Sequence, residues 1–277
     1  MLSWDRPVEI YRDEGVVTLG AKTARLLGHR AIDTYWAGRE SRPVTVAGVT
    51  ATFPIEGWAE SYRLRRSLSL ERPMLSDLLA SLRPDDVFYD VGAHVGLYSC
   101  LAANVVGGDR VVAFEPDPKN VETLCRNLSH NTSEANVLDC ALASGAGRIL
   151  LDGMDGPFRS RGSIVSDGGP DAIVVEQRAG DGLVARGEIP PPTVLKIDVE
   201  GAEGLVLEGL SRSIADERCR LVYCELHHQN DDRGTPTEAR GADPNGTISR
   251  LRSLGFETEV LDDRNGEVLV KARRPTG

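Results

Sequence analysis

Carboxylates stand at the ends of three apolar runs in this chain, and their surroundings have the makings of a ligand site. Asp90 closes Val87-Phe-Tyr89 and opens the loop Asp90-Val-Gly-Ala-His-Val-Gly96, which leads into the helical stretch from Leu97 to Val106. Glu115 closes a second apolar run, Val111-Val-Ala-Phe114, 25 residues after Asp90. Val194-Leu-Lys-Ile197 runs into Asp198-Val-Glu-Gly-Ala-Glu203, a cluster of acids. Glycine lets the backbone come close to a ligand, and the helix start offers unpaired N–H groups. An acid at the tip of the second strand can accept two hydrogen bonds from ribose hydroxyls. A nucleotide-like ligand lying across the three strand ends is the chemistry that this spacing suits.

A second set of residues could move a proton. Alternation puts Lys196, Asp198 and Glu200 on one side of an extended strand. Three charges on one side of a central parallel strand are costly in a plain core, because such strands are covered on both faces. The chain holds only four lysines, so one placed here calls for a role. Glu203 falls in the first turn of the next helix, where an acid is favoured anyway, and the two readings stay even. Glu225-Leu-His-His228 ends a further strand, and either His227 or His228 could accept a proton near neutral pH. A surface histidine pair on a loop is the plain alternative. Asp90 could likewise merely cap its turn, and Glu115 could merely favour the start of helix 117–130.

The elements around these residues alternate. Strands are expected at 86–90, 110–115, 136–142, 193–198 and 220–226, with helices at 97–106, 117–130, 202–215 and 247–254. That order indicates a doubly wound, mostly parallel sheet with right-handed crossovers. Strands at 256–261 and 267–272, joined by Asp262 to Gly266, make a terminal hairpin. An amphipathic helix over Glu71 to Leu82 precedes the core, with Leu75, Leu78, Leu79 and Leu82 on one face. Short strands are expected at Arg148 to Leu151 and Ile173 to Glu176, with a loop at 152–172 and a weak helix at 180–186. Residues 21–36 have a helical pattern, and Pro43 to Pro54 alternates like a small β element. The expected division is an N-terminal extension over 1–70 and a catalytic domain over 71–277. The polar, Gly/Pro-rich stretch 229–245 is either a substrate loop or an insertion.

Composition narrows the partners. The net charge is −10, with 22 Asp and 20 Glu against 28 Arg. An acidic surface repels phosphate backbones, so no nucleic-acid substrate is expected. Charges near Met1 interrupt any signal peptide, no transmembrane segment is expected, and the reading is cytoplasmic. The five cysteines, Cys100, Cys125, Cys140, Cys219 and Cys224, form no CxxC pair and are expected to be buried free thiols.

With these residues in view, the chain resembles the FkbM family of S-adenosylmethionine (SAM)-dependent methyltransferases. The matching words are DVGAHVGLYS (90–99), VVAFEPDPKNVETLCRNLSHN (111–131), ALASGAGRILL (141–151) and VLKIDVEGAEGLVLEGL (194–210). KIDVEGAE is the most specific of them. The resemblance runs from about Glu71 to Glu225. It implies the seven-stranded, Rossmann-like class I methyltransferase sheet with a small N-terminal β/α extension. It also implies a SAM site at Asp90, Gly92, His94, Gly96, Glu115 and Asp139. Asp90 would serve the amino group of the methionine part and Asp139 the adenine; an exposed strand acid is the equal alternative for Asp139. His94 stands where many family members have Asn, and either can donate a hydrogen bond within the loop.

A dinucleotide dehydrogenase would want G-x-G-x-x-G, but His94 occupies the place of the second glycine, which makes room for a pyrophosphate. SAM has no phosphate and needs no such room. N-methylating enzymes of this fold usually carry an Asn/Asp-Pro-Pro-Tyr word after the fourth strand, where this chain has Asp198-Val-Glu-Gly201. The expected reaction is therefore O-methylation of a sugar, glycolipid or other small-molecule hydroxyl. Asp198, Glu200, His227 or His228 would take the proton, with Lys196 beside them. Two alternatives remain: a Mg²⁺-assisted enzyme with Asp198 and Glu200 as ligands, and a SAM-binding partner protein without activity.

Overall fold

The buried strands are short and rich in Val, Leu, Ile and aromatic residues, as suits a sheet covered on both faces. A computed structural model describes residues 26–131, 133–152, 163–165, 172–227, 243–264 and 267–275. Seven strands form the main sheet: β3 (Phe88–Val91), β4 (Val111–Phe114), β5 (Asn136–Leu138), β10 (Val194–Ile197), β11 (Leu221–His227), β12 (Glu257–Arg264) and β13 (Glu267–Arg273). Their order is β12-β13-β11-β10-β3-β4-β5, with β13 antiparallel to both neighbours and the rest parallel. The order reverses between β3 and β10, and open α/β sheets bind ligands outside the strand ends at such a switch.

Alternation divides the sheet into two faces. Tyr89, Val91, Val112, Phe114, Leu195, Ile197, Val222 and Cys224 belong to one buried apolar cluster. Residues from α5 (Gly180–Ala185), α6 (Glu203–Gly209), α7 (Ser211–Ala215) and α8 (Pro244–Ser253) complete it. The opposite face carries Phe88, Asp90, Lys196, Tyr223 and Glu225, and α3 (Leu97–Val106) packs on β3 and β4 there. Asp77 of α2 (Trp58–Ser81) also meets that face: the Tyr223 hydroxyl donates to it at 2.5 Å. The polar side chains at the carboxyl end of this second face build the site described below.

A second sheet of order β6-β9-β7-β8 follows β5. It comprises β6 (Ala141–Leu142), β7 (Gly147–Asp152), β8 (Ser163–Val165) and β9 (Ile173–Arg178). Near the N-terminus, β1 (Ser41–Val46) and β2 (Val49–Pro54) pair as a hairpin, and residues 26–37 form α1. The chain divides into two units, Met1–Arg42 with Pro54–Ser69, and Pro43–Phe53 with Leu70–Gly277.

Several expected boundaries move. The single strand 136–142 is two, β5 in the main sheet and β6 in the second, because the chain leaves the sheet at Asp139. The helix expected at 71–82 begins at Trp58, since its arginine-rich first half has no apolar stripe to read, and Pro73 lies inside it. The helix expected over 202–215 breaks at Leu210. There the Asp181 carboxylate accepts from the backbone N–H of Arg212 at 2.8 Å and of Ser213 at 2.9 Å, giving α7 its own cap from a distant element. Part of the expected loop 152–172 is strand: β8 lies within it, and 153–162 and 166–171 fall outside the described residues. Cys125 corrects the cysteine reading: it is exposed on α4 (Pro118–His130), while the other four are buried and all five are free.

Candidate active site

The glycine loop is locked between three strands. The N–H groups of Gly92 and Ala93 both donate to Phe114 O at 3.0 Å, and Asp198 N donates to Val91 O at 3.0 Å. Gly92 has φ +78, and a Cβ there would stand 1.9 Å from the Asp198 carbonyl oxygen. The glycine is therefore required on two counts, by its backbone angle and by the approach of the β10 turn. Gly96 ends the loop at φ +84, against the Leu124 side chain of α4, and leaves α3 without a side-chain cap.

Glu115 ties the loop to α4. Its carboxylate accepts from His94 N at 2.7 Å, Asp117 N at 3.0 Å and Asn120 Nδ2 at 3.2 Å. Burial raises its pKa, and these three bonds oppose the rise. Oε1 spends both its lone pairs on Asp117 and Asn120, whereas Oε2 spends one on His94, so a second donor can still be accepted at Oε2. Beside it, Asp117 is 2% exposed, and its Oδ2 is buried with no hydrogen-bond partner among the described residues. Asp139 lies just beyond β5 and is exposed.

Register explains the next pair. Lys196 stands directly across from Asp90 in the parallel β10–β3 ladder, so both side chains share a face. The Lys196 ammonium donates to Gly92 O at 2.8 Å and lies 3.4 Å from Asp90 Oδ1 and 3.3 Å from Asp198 Oδ2. Ser99 donates to the other oxygen of Asp90 at 2.6 Å. Burial works to strip the lysine's proton, but the carboxylates of Asp198, Asp90 and Glu71 outweigh it and hold the ammonium charged. Lys196 thus acts as a fixed cation, and it is no proton acceptor at neutral pH.

The expectation that Lys196, Asp198 and Glu200 share one side of an extended strand is corrected. β10 ends at Ile197, and Glu200 has φ +52, a left-handed backbone. That turn sends Glu200 towards His227 instead: the His227 Nε2 lies 3.4 Å from Glu200 Oε2 and 3.9 Å from Glu225 Oε1. His227 Nδ1 meets Glu203 Oε1 at 2.8 Å, and Gly201 N donates to the same oxygen at 2.9 Å. Glu203, 1% exposed, holds a turn and a ring together. His228 lies outside the described residues, as do 229–242.

Burial alone would lower the His227 pKa. The hydrogen bond to Glu203, reinforced by the charges of Glu200, Glu203 and Asp198, instead pushes it up to about 10. The ring is an imidazolium at neutral pH, which counts against it as a resting base. Glu225 moves upward as well, through burial and then the nearby Asp198, Glu71 and Glu267 charges. The sequence pointed to the Glu225-Leu-His-His word but not to Glu225 itself, which is buried on the polar face. Strand alternation from Tyr223 would have found it.

A stability prediction follows for His227. Its folded pKa lies above the ordinary imidazole value, so the stabilisation is complete below about pH 6.5 and is lost as pH climbs through about 10. Urea midpoints, measured with a chelator present, should fall over this window more steeply for the natural chain than for His227→Gln. Parallel curves would show that the ring makes no such linkage.

Seven strands in this order, with the last pair antiparallel and a glycine loop and two strand-tip acids at the switch point, define a class I methyltransferase fold. The profile of the methyltransferase FkbM domain matches residues 90–258, and the chain belongs to that family of methyltransferases. It is 30% identical over 260 residues to the hexuronic acid methyltransferase AglP of Haloferax volcanii, covering 93% of this chain and 99% of that one. It is also 30% identical over 213 residues to the 31-O-demethyl-FK506 methyltransferase FkbM of Streptomyces tacrolimicus, covering 66% of this chain and 76% of that one. A crystal structure of a methyltransferase FkbM from Methylobacillus flagellatus KT aligns with TM-score 0.48 and 16% identity, covering 91% of this chain and 60% of that one. Among the described residues, no helix is long and apolar enough to cross a membrane.

Proposed function

We propose that the chain transfers a methyl group from SAM to a sugar hydroxyl, with a hexuronic acid residue as the favoured acceptor, and that it works in the cytoplasm. The observation that carries the chemistry is Asp198, partly exposed at 25% of its side chain and held 3.3 Å from the buried Lys196 ammonium at the strand switch. The choice of sugar draws support from the hexuronic acid methyltransferase, which matches this chain over nearly the full length of both.

The residues present suit SAM. The Gly92 cradle has no room for a side chain, Glu115 Oε2 keeps a lone pair for a ribose hydroxyl, and Asp117 Oδ2, two residues on, is buried without a partner among the described residues. The uncapped start of α3 and Asp90 would face the methionine part, with His94 and Gly96 shaping the loop. Asp139, exposed just beyond β5, would serve the adenine. When bound, SAM supplies an electrophilic methyl on a sulfonium. Displacement at that carbon needs alignment and an acceptor oxygen losing its proton. Asp198 would take the proton, and Lys196, 3.3 Å away, would hold Asp198 in place. Glu200 and His227 would line the acceptor side. His228 remains a candidate from the sequence alone.

Assays with radiolabelled SAM and a panel of glucuronides, galacturonides and neutral glycosides test the reading. Methyl transfer to uronides above the neutral sugars is the expected result, and transfer to none of them would overturn the acceptor assignment. For the cofactor, Glu115→Ala should weaken SAM binding by about 1.5–3 kcal/mol, because hydrogen bonds to a charged acceptor are lost. Unchanged affinity by calorimetry would remove the ribose role.

One observation favours a second reading. Asp198, Glu200 and His227 each offer a ligand atom, and the three lie within 4.8 Å of one another. A Mg²⁺ ion there would orient the acceptor and ease its deprotonation. Magnesium titration of the protein by calorimetry, with activity before and after EDTA, decides between the two.

A further inference from the structure

The Lys196 ammonium has a fourth neighbour that the transfer chemistry does not require. The Tyr98 ring of α3 lies with its centroid 5.2 Å from Lys196 Nζ, and the Tyr98 hydroxyl donates to Glu71 Oε2 at 3.0 Å. Tyr98 is 4% exposed. A neutral tyrosine can sit against an ammonium through its negative ring face, a contact that strengthens once water is excluded. Burial and then the Glu71 carboxylate keep the phenol protonated, so its hydroxyl remains a donor. Glu71 belongs to α2, far from the strand tips in sequence, and reaches the site through this hydroxyl and through its charge on Lys196 and Glu225.

We infer that Tyr98 and Glu71 are positioning residues: together they wall off the Lys196 ammonium and aim it at Asp198 and at the Gly92 carbonyl. The ammonium has carboxylates on two sides and a carbonyl on a third. A tilted ring on the remaining side would admit water and let Lys196 swing away from Asp198. The hydrogen bond to Glu71 fixes that tilt, because a tyrosine ring otherwise turns broadly about its second side-chain torsion. The inference rests on the proposed role of Asp198 for its effect on turnover, but not for its effect on Lys196.

The experiment therefore starts without an acceptor. The chain holds four lysines, so ¹⁵N-lysine labelling gives a spectrum simple enough to assign by single substitutions. In the complex with S-adenosylhomocysteine, the Lys196 ammonium protons should exchange slowly with water. Tyr98→Phe and Glu71→Ala are expected to speed that exchange at least 10-fold. Glu71→Gln, whose amide oxygen accepts the same hydrogen bond, should restore it to within about 3-fold. Unchanged exchange in Tyr98→Phe and Glu71→Ala, or a Glu71→Gln variant as leaky as Glu71→Ala, overturns the inference. Turnover is then measured on a uronide that the natural chain methylates. A fall in kcat with unchanged S-adenosylhomocysteine affinity supports positioning, whereas an equal loss of cofactor affinity shows a merely structural role. Normal turnover in Asp198→Asn alongside leaky exchange in Tyr98→Phe would overturn the acceptor chemistry and leave the positioning of Lys196 standing.

Discussion

Asp198→Asn is expected to lower turnover by roughly 10²-fold or more, while SAM affinity stays nearly intact. The amide keeps the size of the carboxylate but cannot take a proton from the acceptor hydroxyl. Lys196 sharpens the expectation. Its ammonium lies 3.3 Å from Asp198 and 3.4 Å from Asp90, so it keeps one carboxylate partner after the change and the site should hold its shape. Steady-state kinetics with calorimetric SAM binding separates the two quantities. If Asp198→Asn turns over normally and His227→Ala does not, the proton passes to the ring. That outcome would also mean that the ring is neutral in the working complex, against the pull of Glu203 and Glu200.

Gly92→Ala should be more damaging still, and in a different way. The new methyl would stand 1.9 Å from a backbone oxygen, an atom that cannot swing aside as a flexible side-chain tip can. At φ +78 the alanine also pays for a backbone that L-residues avoid, about 1–2 kcal/mol. Parting the loop from the β10 turn would strain the Asp198 N–H bond to Val91 O and the Lys196 bond to Gly92 O. A loss of about 3 kcal/mol or more in stability is expected, within the range of strain and network-breaking changes. SAM binding should become undetectable. Chemical unfolding and calorimetry check both statements. Near-normal stability with bound SAM would mean that the loop and the β10 turn are not held together as described.

Contrast Gly92 with Glu115, whose replacement removes hydrogen bonds without creating a clash. Gly92→Ala should cost the fold through a clash with the β10 turn, whereas Glu115→Ala should cost the ligand and also part of the fold, because its carboxylate accepts from His94 N, Asp117 N and Asn120 Nδ2. Measuring both on the same scale tells whether the loop is built by packing or by the ligand.

What the sequence determined by itself was the order of elements and the identity of the strand tips. Apolar runs closed by Asp90, Glu115 and Asp198 are local signals, and the alternation of short strands with helices dictates a doubly wound sheet. The family words rest on the same local strings, so the chemistry of the class was legible there too. Only the tertiary structure decided which side chains meet. Lys196 finds Asp90 because β10 and β3 lie side by side in register, a pairing that joins residues more than a hundred positions apart. Glu200 leaves the face of Lys196 because its own backbone turns left-handed, which residue type alone does not foretell. Glu71 reached the site through Tyr98, and Glu225 through the pleat of β11. The break of the helix at Leu210 was decided by Asp181, some thirty residues away, whose carboxylate outbids continuation of the helix for two backbone N–H groups. Periodicity reports what a segment prefers alone, whereas these choices were made by partners that the chain brings close only on folding.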